Sequence, residues 1–246
     1  MSHRSGARTP LVLLLAASAA ACTVVQEPDH EVSMSASDSG AAAGQVGAAG
    51  EWRSLFDGAT TSGWRGYRKD SVAGWQVVDG ALTRVGPGGD IMTTEQFANF
   101  ELELEWKVAP GGNSGIMYRV TEAAANPYET GPEMQVLDDS GHADGRSRLT
   151  SAGAAYGLYP APEGVVKPAG EWNAVRLVVN GSDVEHWLNG QKIVSYQIGS
   201  PDWEAKVKGS KFADWPGFGR AARGHIVLQD HGDRVAYRGI RIRELR

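Results

Sequence analysis

The stretch F-E-L-E-L-E-W-K-V, residues 100–108, decides the fold. Phe100, Leu102, Leu104, Trp106 and Val108 take one face, and Glu101, Glu103, Glu105 and Lys107 take the other. A period of two marks a β-strand with one buried and one wet face, because successive side chains point to opposite sides of a sheet. Three alternating glutamates can be read as a catalytic constellation or as a solvated sheet surface. Like charges repeated along one face repel, and a site would pair them with basic groups or a metal, so a solvated outer face is expected.

The same period recurs on either side. N-S-G-I-M-Y-R-V at 113–120 sets Ile116, Tyr118 and Val120 against Met117 and Arg119. G-P-E-M-Q-V-L-D-D at 131–139 sets Met134 and Val136 against Glu133, Gln135 and Leu137. Asp79-Gly80 and Asn189-Gly190 are two-residue hairpin signals, the second joining strands at 184–188 and 191–196. Further short strands are expected at 52–56, 91–94, 172–180, 224–230 and 235–245, with a long loop or short helix over 197–222. There is no internal repeat and no long amphipathic helix. About a dozen short antiparallel strands with hairpin turns predict an all-β sandwich of two antiparallel sheets. Residues 51–246 suit a jelly roll with a concave face.

Composition agrees. The chain has 246 residues, 32 of them glycine and 8 tryptophan, and a formal net charge of -5. It carries no Lys/Arg block of the kind that binds nucleic acid. Aromatics mixed with Asn, Gln, His and Glu suit a neutral polar partner such as a carbohydrate. The single cysteine, Cys22, leaves the folded part without disulfides or thiol chemistry. It ends a segment with a basic head (His3, Arg4, Arg8), an apolar run from Leu11 and small residues, the pattern of a secretory signal peptide. Ala19-Ala20-Ala21-Cys22 resembles a bacterial lipobox, with alanine where leucine is usual. The expectation is a signal peptide over 1–22, a lipid on Cys22 anchoring the protein to a membrane of the cell envelope, on its periplasmic or outer-membrane face, and a tether over 23–50. That tether is rich in Ser, Ala, Gly, Asp and Glu and lacks the apolar periodicity a core needs.

Strand parity nominates site residues. Glu133 and Gln135 lie on one strand face, about 6–7 Å apart. His225, Val227, Gln229 and His231 oppose Ile226 and Leu228; His186 and Leu188 oppose Glu185, Trp187 and Asn189. Together with Arg119 and Asn113 from 113–120 and Asp138 from 131–139, these polar groups are candidates to line one concave face. Each also has a structural reading. Glu133 can pair with Arg119 across neighbouring strands. Gln135 and Gln229 can satisfy loop backbone, and His186 can be a packed strand residue. Asp138, Asp139 and His142 can cap turns, and the tryptophans can be core.

Several stretches in order carry a resemblance: S-L-F-D-G (54–58), F-E-L-E-L-E-W-K (100–107), G-G-N-S-G-I-M-Y-R (111–119), G-P-E-M-Q-V-L-D-D (131–139), V-E-H-W-L-N-G (184–190), G-H-I-V-L-Q-D-H-G (224–232) and Y-R-G-I-R-I-R-E-L (237–245). Residues 51–246 resemble the 3-keto-disaccharide hydrolase family. One departure is Arg238-Gly239-Ile240, where the family usually has Arg-Asn-Ile. The resemblance implies a concanavalin A-like jelly roll, related to laminarinases and lectins, and a secreted or lipid-anchored enzyme that breaks down 3-keto-glycosides. Laminarinase-like enzymes place paired acids on one strand; Glu133-x-Gln135 has an amide in place of one of them, against ordinary two-carboxylate hydrolysis. A 3-keto sugar offers another route: a base removes the acidified hydrogen on carbon 2, an enolate forms, the aglycone leaves carbon 1, and water adds. The expected catalytic residues are Glu133, His231, His186 and Arg119. The expected substrate-binding residues are Asn113, Gln135, Asp138, Trp187, Asn189 and Gln229. The spacing matches no metal motif, although a divalent ion on His and Glu ligands is compatible with enolate chemistry. The competing class is a non-catalytic, lectin-like carbohydrate-binding module.

Overall fold

The computed structural model describes residues 49–246, so the expected signal peptide, Cys22 and all but the end of the tether lie outside the described residues. Ala49 already bridges Leu245, so folding reaches back past the expected boundary at Glu51. The strands are β1 (Arg53–Ser54), β2 (Trp64–Gly66), β3 (Trp75–Val78), β4 (Ala81–Arg84), β5 (Ile91–Thr93), β6 (Phe100–Val108) and β7 (Asn113–Val120). They continue with β8 (Glu133–Leu137), β9 (Asn173–Asn180), β10 (Asp183–Leu188), β11 (Gln191–Gln197), β12 (His225–Leu228) and β13 (Val235–Glu244). One α-helix among the described residues, α1 (Pro201–Lys208), forms within the stretch expected as a long loop or short helix; the Ser200 hydroxyl caps it by accepting the Trp203 N–H at 3.2 Å, and Pro201 suits its first turn.

Two antiparallel sheets result, as the alternation requires. An eight-stranded sheet runs β11-β10-β9-β6-β13-β4-β3, with β1 on β13; a five-stranded sheet runs β2-β5-β12-β7-β8. Their inner faces meet in one core. Leu102, Leu104, Trp106, Leu177 and Ile242 come from the larger sheet, and Ile116, Tyr118, Met134, Val136, Ile226 and Leu228 from the smaller. The protein is thus the all-β, two-sheet jelly-roll sandwich that the sequence predicts.

The outer faces depart from expectation in two instructive ways. The glutamates of β6 do not simply face solvent. The register sets arginines of β9 and β13 against them, so Glu105 pairs with Arg238 at 2.7 Å, Glu103 with Arg241 at 2.5 Å, and Glu101 with both Arg176 and Arg243. Glu101 is only 3% exposed beneath its two guanidiniums. Opposite charges across strands contribute roughly 0.2–1 kcal/mol each, which removes the like-charge repulsion. At Gly239 the β6–β13 register shifts and φ is +61°. Gly and Asn are the residues that tolerate this left-handed bend, so glycine for asparagine there keeps the backbone unchanged.

The second departure is that β7 is buried on both faces. Ile116 and Tyr118 point into the core, while Met117 joins Met92, Val120, Val227 and Tyr67 in a smaller apolar cluster on the outer side, against which Tyr128 packs. Loops therefore cover the outer face of the five-stranded sheet, and a pocket opens between them.

Candidate active site

Strands β7 and β8 pair with Met117 opposite Glu133 and Gly115 opposite Gln135. Both polar residues consequently project from the outer face of the smaller sheet. Gly115 has no Cβ because the space is taken: the Glu133 carboxyl group lies across β7 at that point, and a side chain would overlap it. Asn113 extends the same wall, and the chain leaving β12 adds Gln229 and His231. Tyr128 from the 121–130 connection, Tyr156 from the loop after β8, and Lys211 and Phe212 from the segment after α1 close the pocket. Lys211 Nζ stands 4.4 Å from the Tyr156 ring centre, and Tyr128 packs on Trp215 at 5.3 Å. The cavity is about 160 Å³, well under the roughly 300 Å³ at which pockets for drug-sized ligands begin. It has room for one sugar ring, and any attached group must project through the mouth.

Glu133 is half-buried, open only toward the cavity, and among the described residues no hydrogen-bond donor reaches its carboxyl group. Burial pushes its pKa up to about 8; Lys211 opposes the shift, and the charges of Asp90 and Asp144 add to it. Removal from water without a compensating donor disfavours the ionised form. Gln135 donates Nε2 to the Thr150 carbonyl at 3.1 Å, leaving its Oε1 buried without a donor, and Asn113 Oδ1 is in the same state. Buried polar atoms in proteins are nearly always satisfied; two lone acceptors in one small polar pocket are places for ligand hydroxyls to donate. At the mouth, His231 is exposed, with its ring edge-on to His142 at 6.3 Å between centres.

The structure brings together Glu133, Gln135, Asn113, Gln229 and His231. It places the other five candidates elsewhere. His186 lies between the sheets, fully buried, not in the pocket. A carbonyl can only accept, so His186 Nδ1 donates to Gly153 O at 3.0 Å; Nε2 then accepts from the Tyr118 hydroxyl at 3.1 Å, which in turn bonds Tyr196. Burial lowers its pKa to about 4, so the ring is a neutral structural link. Arg119 does not pair with Glu133. It sits at the far end of β7 with φ +54° and donates to the carbonyls of Gly181, at 2.5 Å, and Ala98, at 3.3 Å. Asp138 caps its own turn, accepting from Gly111 N and from Ser140 N and Oγ. Asn189 holds the Val165–Asn173 connection against Ala174, and Trp187 lies on the outer face of the other sheet between Arg176 and Lys192. Parity separates the two faces of a strand but does not say which sheet a strand joins.

Asp90 was not singled out by the sequence. It precedes β5, whose pairing of Ile91 with Leu228 sets Asp90 beside Gln229. Its Oδ1 accepts the Asp230 N–H at 2.7 Å, and burial raises its pKa to about 6. Tyr128, Tyr156 and Lys211 also went unread, because loops that fold over a sheet carry no periodic signal.

A wider hollow of about 620 Å³ lies on the outer face of the eight-stranded sheet, over Ala174, Trp187 and Gly239. Its carboxylates, Glu103 and Glu105, are already paired with Arg241 and Arg238. No free ionisable group lines that hollow, whereas the smaller pocket holds Glu133, whose carboxyl group has no donor among the described residues.

The 3-keto-alpha-glucoside-1,2-lyase-like domain family matches residues 51–243. A 3-keto-disaccharide hydrolase of Bacteroides thetaiotaomicron is 36% identical over 224 residues, covering 78% of this chain and 77% of that protein. A crystal structure of a candidate glycosyl hydrolase from Parabacteroides distasonis superposes with a TM-score of 0.75 at 34% identity, covering 79% of this chain and 94% of that one. A second candidate glycosyl hydrolase from the same organism gives a TM-score of 0.63 at 29% identity, covering 79% and 100%.

Proposed function

The chain belongs to the 3-keto-alpha-glucoside-1,2-lyase-like family, and from that premise we propose that it cleaves 3-keto-glycosides by elimination and hydration, with Glu133 as the base. The observation that carries this reading is a desolvated carboxyl group with no protein donor, on the floor of a pocket sized for one sugar ring. The ketone acidifies the hydrogen on carbon 2. Glu133 takes that proton, and the electron pair moves onto the ketone oxygen as an enolate. A carboxylate with its pKa near 8 is a stronger base than an ordinary one, and its pKa lies close to working pH. The Asn113 amide and the Lys211 ammonium, both in the pocket lining, serve as donors for the enolate oxygen.

Collapse of the enolate breaks the bond from carbon 1 to the glycosidic oxygen. The aglycone must project through the mouth, where His231 stands, so His231 donates the proton that the departing oxygen needs. Water then adds at carbon 1, with His231 accepting its proton, and Glu133 returns its proton to carbon 2. The sum is hydrolysis, with both groups restored and no change in oxidation state. A purely lectin-like module gains nothing from an unpaired, half-buried carboxyl group, which only costs stability. The setting proposed is a lipid on Cys22 holding the domain at the cell envelope, tested by palmitate labelling of the wild type against Cys22→Ala.

The direct test is Glu133→Gln, which keeps shape and removes the base. It is expected to lower kcat on a 3-keto-glucoside by roughly 10²–10⁴. A variant that turns over at the wild-type rate removes Glu133 from the mechanism.

A further inference from the structure

His231 is exposed and its ring accepts no protein hydrogen bond among the described residues, yet the residue before it is among the most tightly held in the chain. Asp230 Oδ1 accepts from Arg84 Nε at 2.7 Å and from Gly232 N at 3.0 Å. Its Oδ2 accepts from Gly89 N at 2.9 Å and Gly88 N at 3.3 Å. Its own N–H is fixed by Asp90 Oδ1, and Arg84 Nη1 reaches the Gly232 carbonyl. On the far side of the turn, Asp233 Oδ2 accepts the Asn113 N–H at 3.1 Å, tying the turn to the pocket wall. The side chains of Arg84 and Asp230 are only 15% and 6% exposed. A half-buried guanidinium and a buried carboxylate thus clamp the residues before and after His231, while the imidazole is left free over the cavity.

We propose that Arg84 and Asp230 are positioning residues that hold the His231 imidazole over the mouth of the pocket, where the departing oxygen emerges. This rests on the reading of His231 as proton donor to the aglycone. Neither residue touches the sugar; both act through the turn. A buried charge-assisted pair with several backbone donors fixes a loop more firmly than neutral hydrogen bonds do, and a proton donor displaced by an ångström loses most of its effect.

The leaving group separates positioning from general damage. A nitrophenolate departs without a proton, whereas a methoxide needs one. The full chain is assayed on 4-nitrophenyl and methyl 3-keto-α-glucosides. His231→Ala is expected to slow the methyl glucoside by about 100-fold or more and the nitrophenyl glucoside by less than about 10-fold, within the usual range of acid catalysis. Asp230→Asn and Arg84→Gln are expected to show the same asymmetry, about 10-fold on the methyl glucoside, with Arg84→Lys partly restoring it. Asp230→Asn added to His231→Ala is expected to cost nothing more on the methyl glucoside, as for residues acting through one group. If His231→Ala shows no asymmetry, the role of His231 fails and the proposal with it. If His231→Ala is asymmetric but Asp230→Asn and Arg84→Gln slow both substrates equally or neither, the clamp alone is overturned. Should Asp230→Asn not fold, the two Arg84 variants decide.

Discussion

Glu133 carries the account at the scale of single residues, and its ionisation gives two opposite dependences on pH. As a base it must be charged, so kcat/KM on a 4-nitrophenyl 3-keto-glucoside, whose leaving group needs no proton, is expected to rise with pH and to level off above about 8. Stability runs the other way. Below the ordinary value of 4.5 the group is protonated in folded and unfolded chains alike, and nothing is lost. As pH rises from there toward about 8 the unfolded chain releases the proton while the folded one keeps it, so stability falls across that window. Glu133→Gln should therefore melt with the wild type near pH 4 and above it near pH 8, with each 1 kcal/mol gained worth about 2–4 °C in a domain of this size. Thermal melts at the two pH values check this; equal melting at both would mean that the carboxyl group is not desolvated. Glu133, Gln135, Asn113, Gln229 and His231 were legible in the sequence because alternation placed polar groups where a sheet would otherwise be apolar or charged. His186 and Arg119 lie outside the pocket for a physical reason: a histidine or arginine that satisfies buried carbonyls and hydroxyls has the same composition as one that meets a substrate.

At the scale of elements, β8 and β10 show what alternation can and cannot say. β8 turns its polar face outward into a loop-covered pocket, while in β10 Glu185 and Trp187 take the outer face and His186 turns inward to the core with Val184 and Leu188. The chain Gly153–His186–Tyr118–Tyr196 ties β10, β7 and β11 to the loop beside β8. His186→Leu leaves the Tyr118 hydroxyl and the Gly153 carbonyl short of a partner. A loss of about 1–3 kcal/mol is expected, read by urea denaturation, with kcat/KM of the folded variant within a few-fold of wild type. Loss of activity by a hundred-fold with unchanged stability would instead return His186 to the chemistry. Strands and hairpins were readable because side-chain direction is fixed locally. The pocket walls at Tyr128, Tyr156 and Lys211 were not, because which loop closes over which sheet is decided by the packing of the whole sandwich, as the outer cluster of Met92, Met117 and Val227 shows.

At the scale of the whole molecule, the two outer faces divide the work. The eight-stranded sheet neutralises its charges in a ladder of glutamate–arginine pairs. The five-stranded sheet leaves one carboxyl group unpaired and encloses it. The family pattern spans residues 51–243, so the two-sheet fold was readable although strand β2 was not, while the pocket depends on contacts between residues far apart in sequence, such as Asp90 with Asp230 and Gly115 with Glu133. The central claim is that catalysis begins by breaking the bond between carbon 2 and its hydrogen, and isotopic substitution tests it most directly. kcat/KM is compared for a 3-keto-glucoside bearing hydrogen or deuterium on carbon 2. The account predicts a primary isotope effect, slower cleavage of the deuterated sugar, when a fast leaving group such as 4-nitrophenolate makes proton removal limiting; equal rates with that leaving group would contradict it and point to direct displacement at carbon 1.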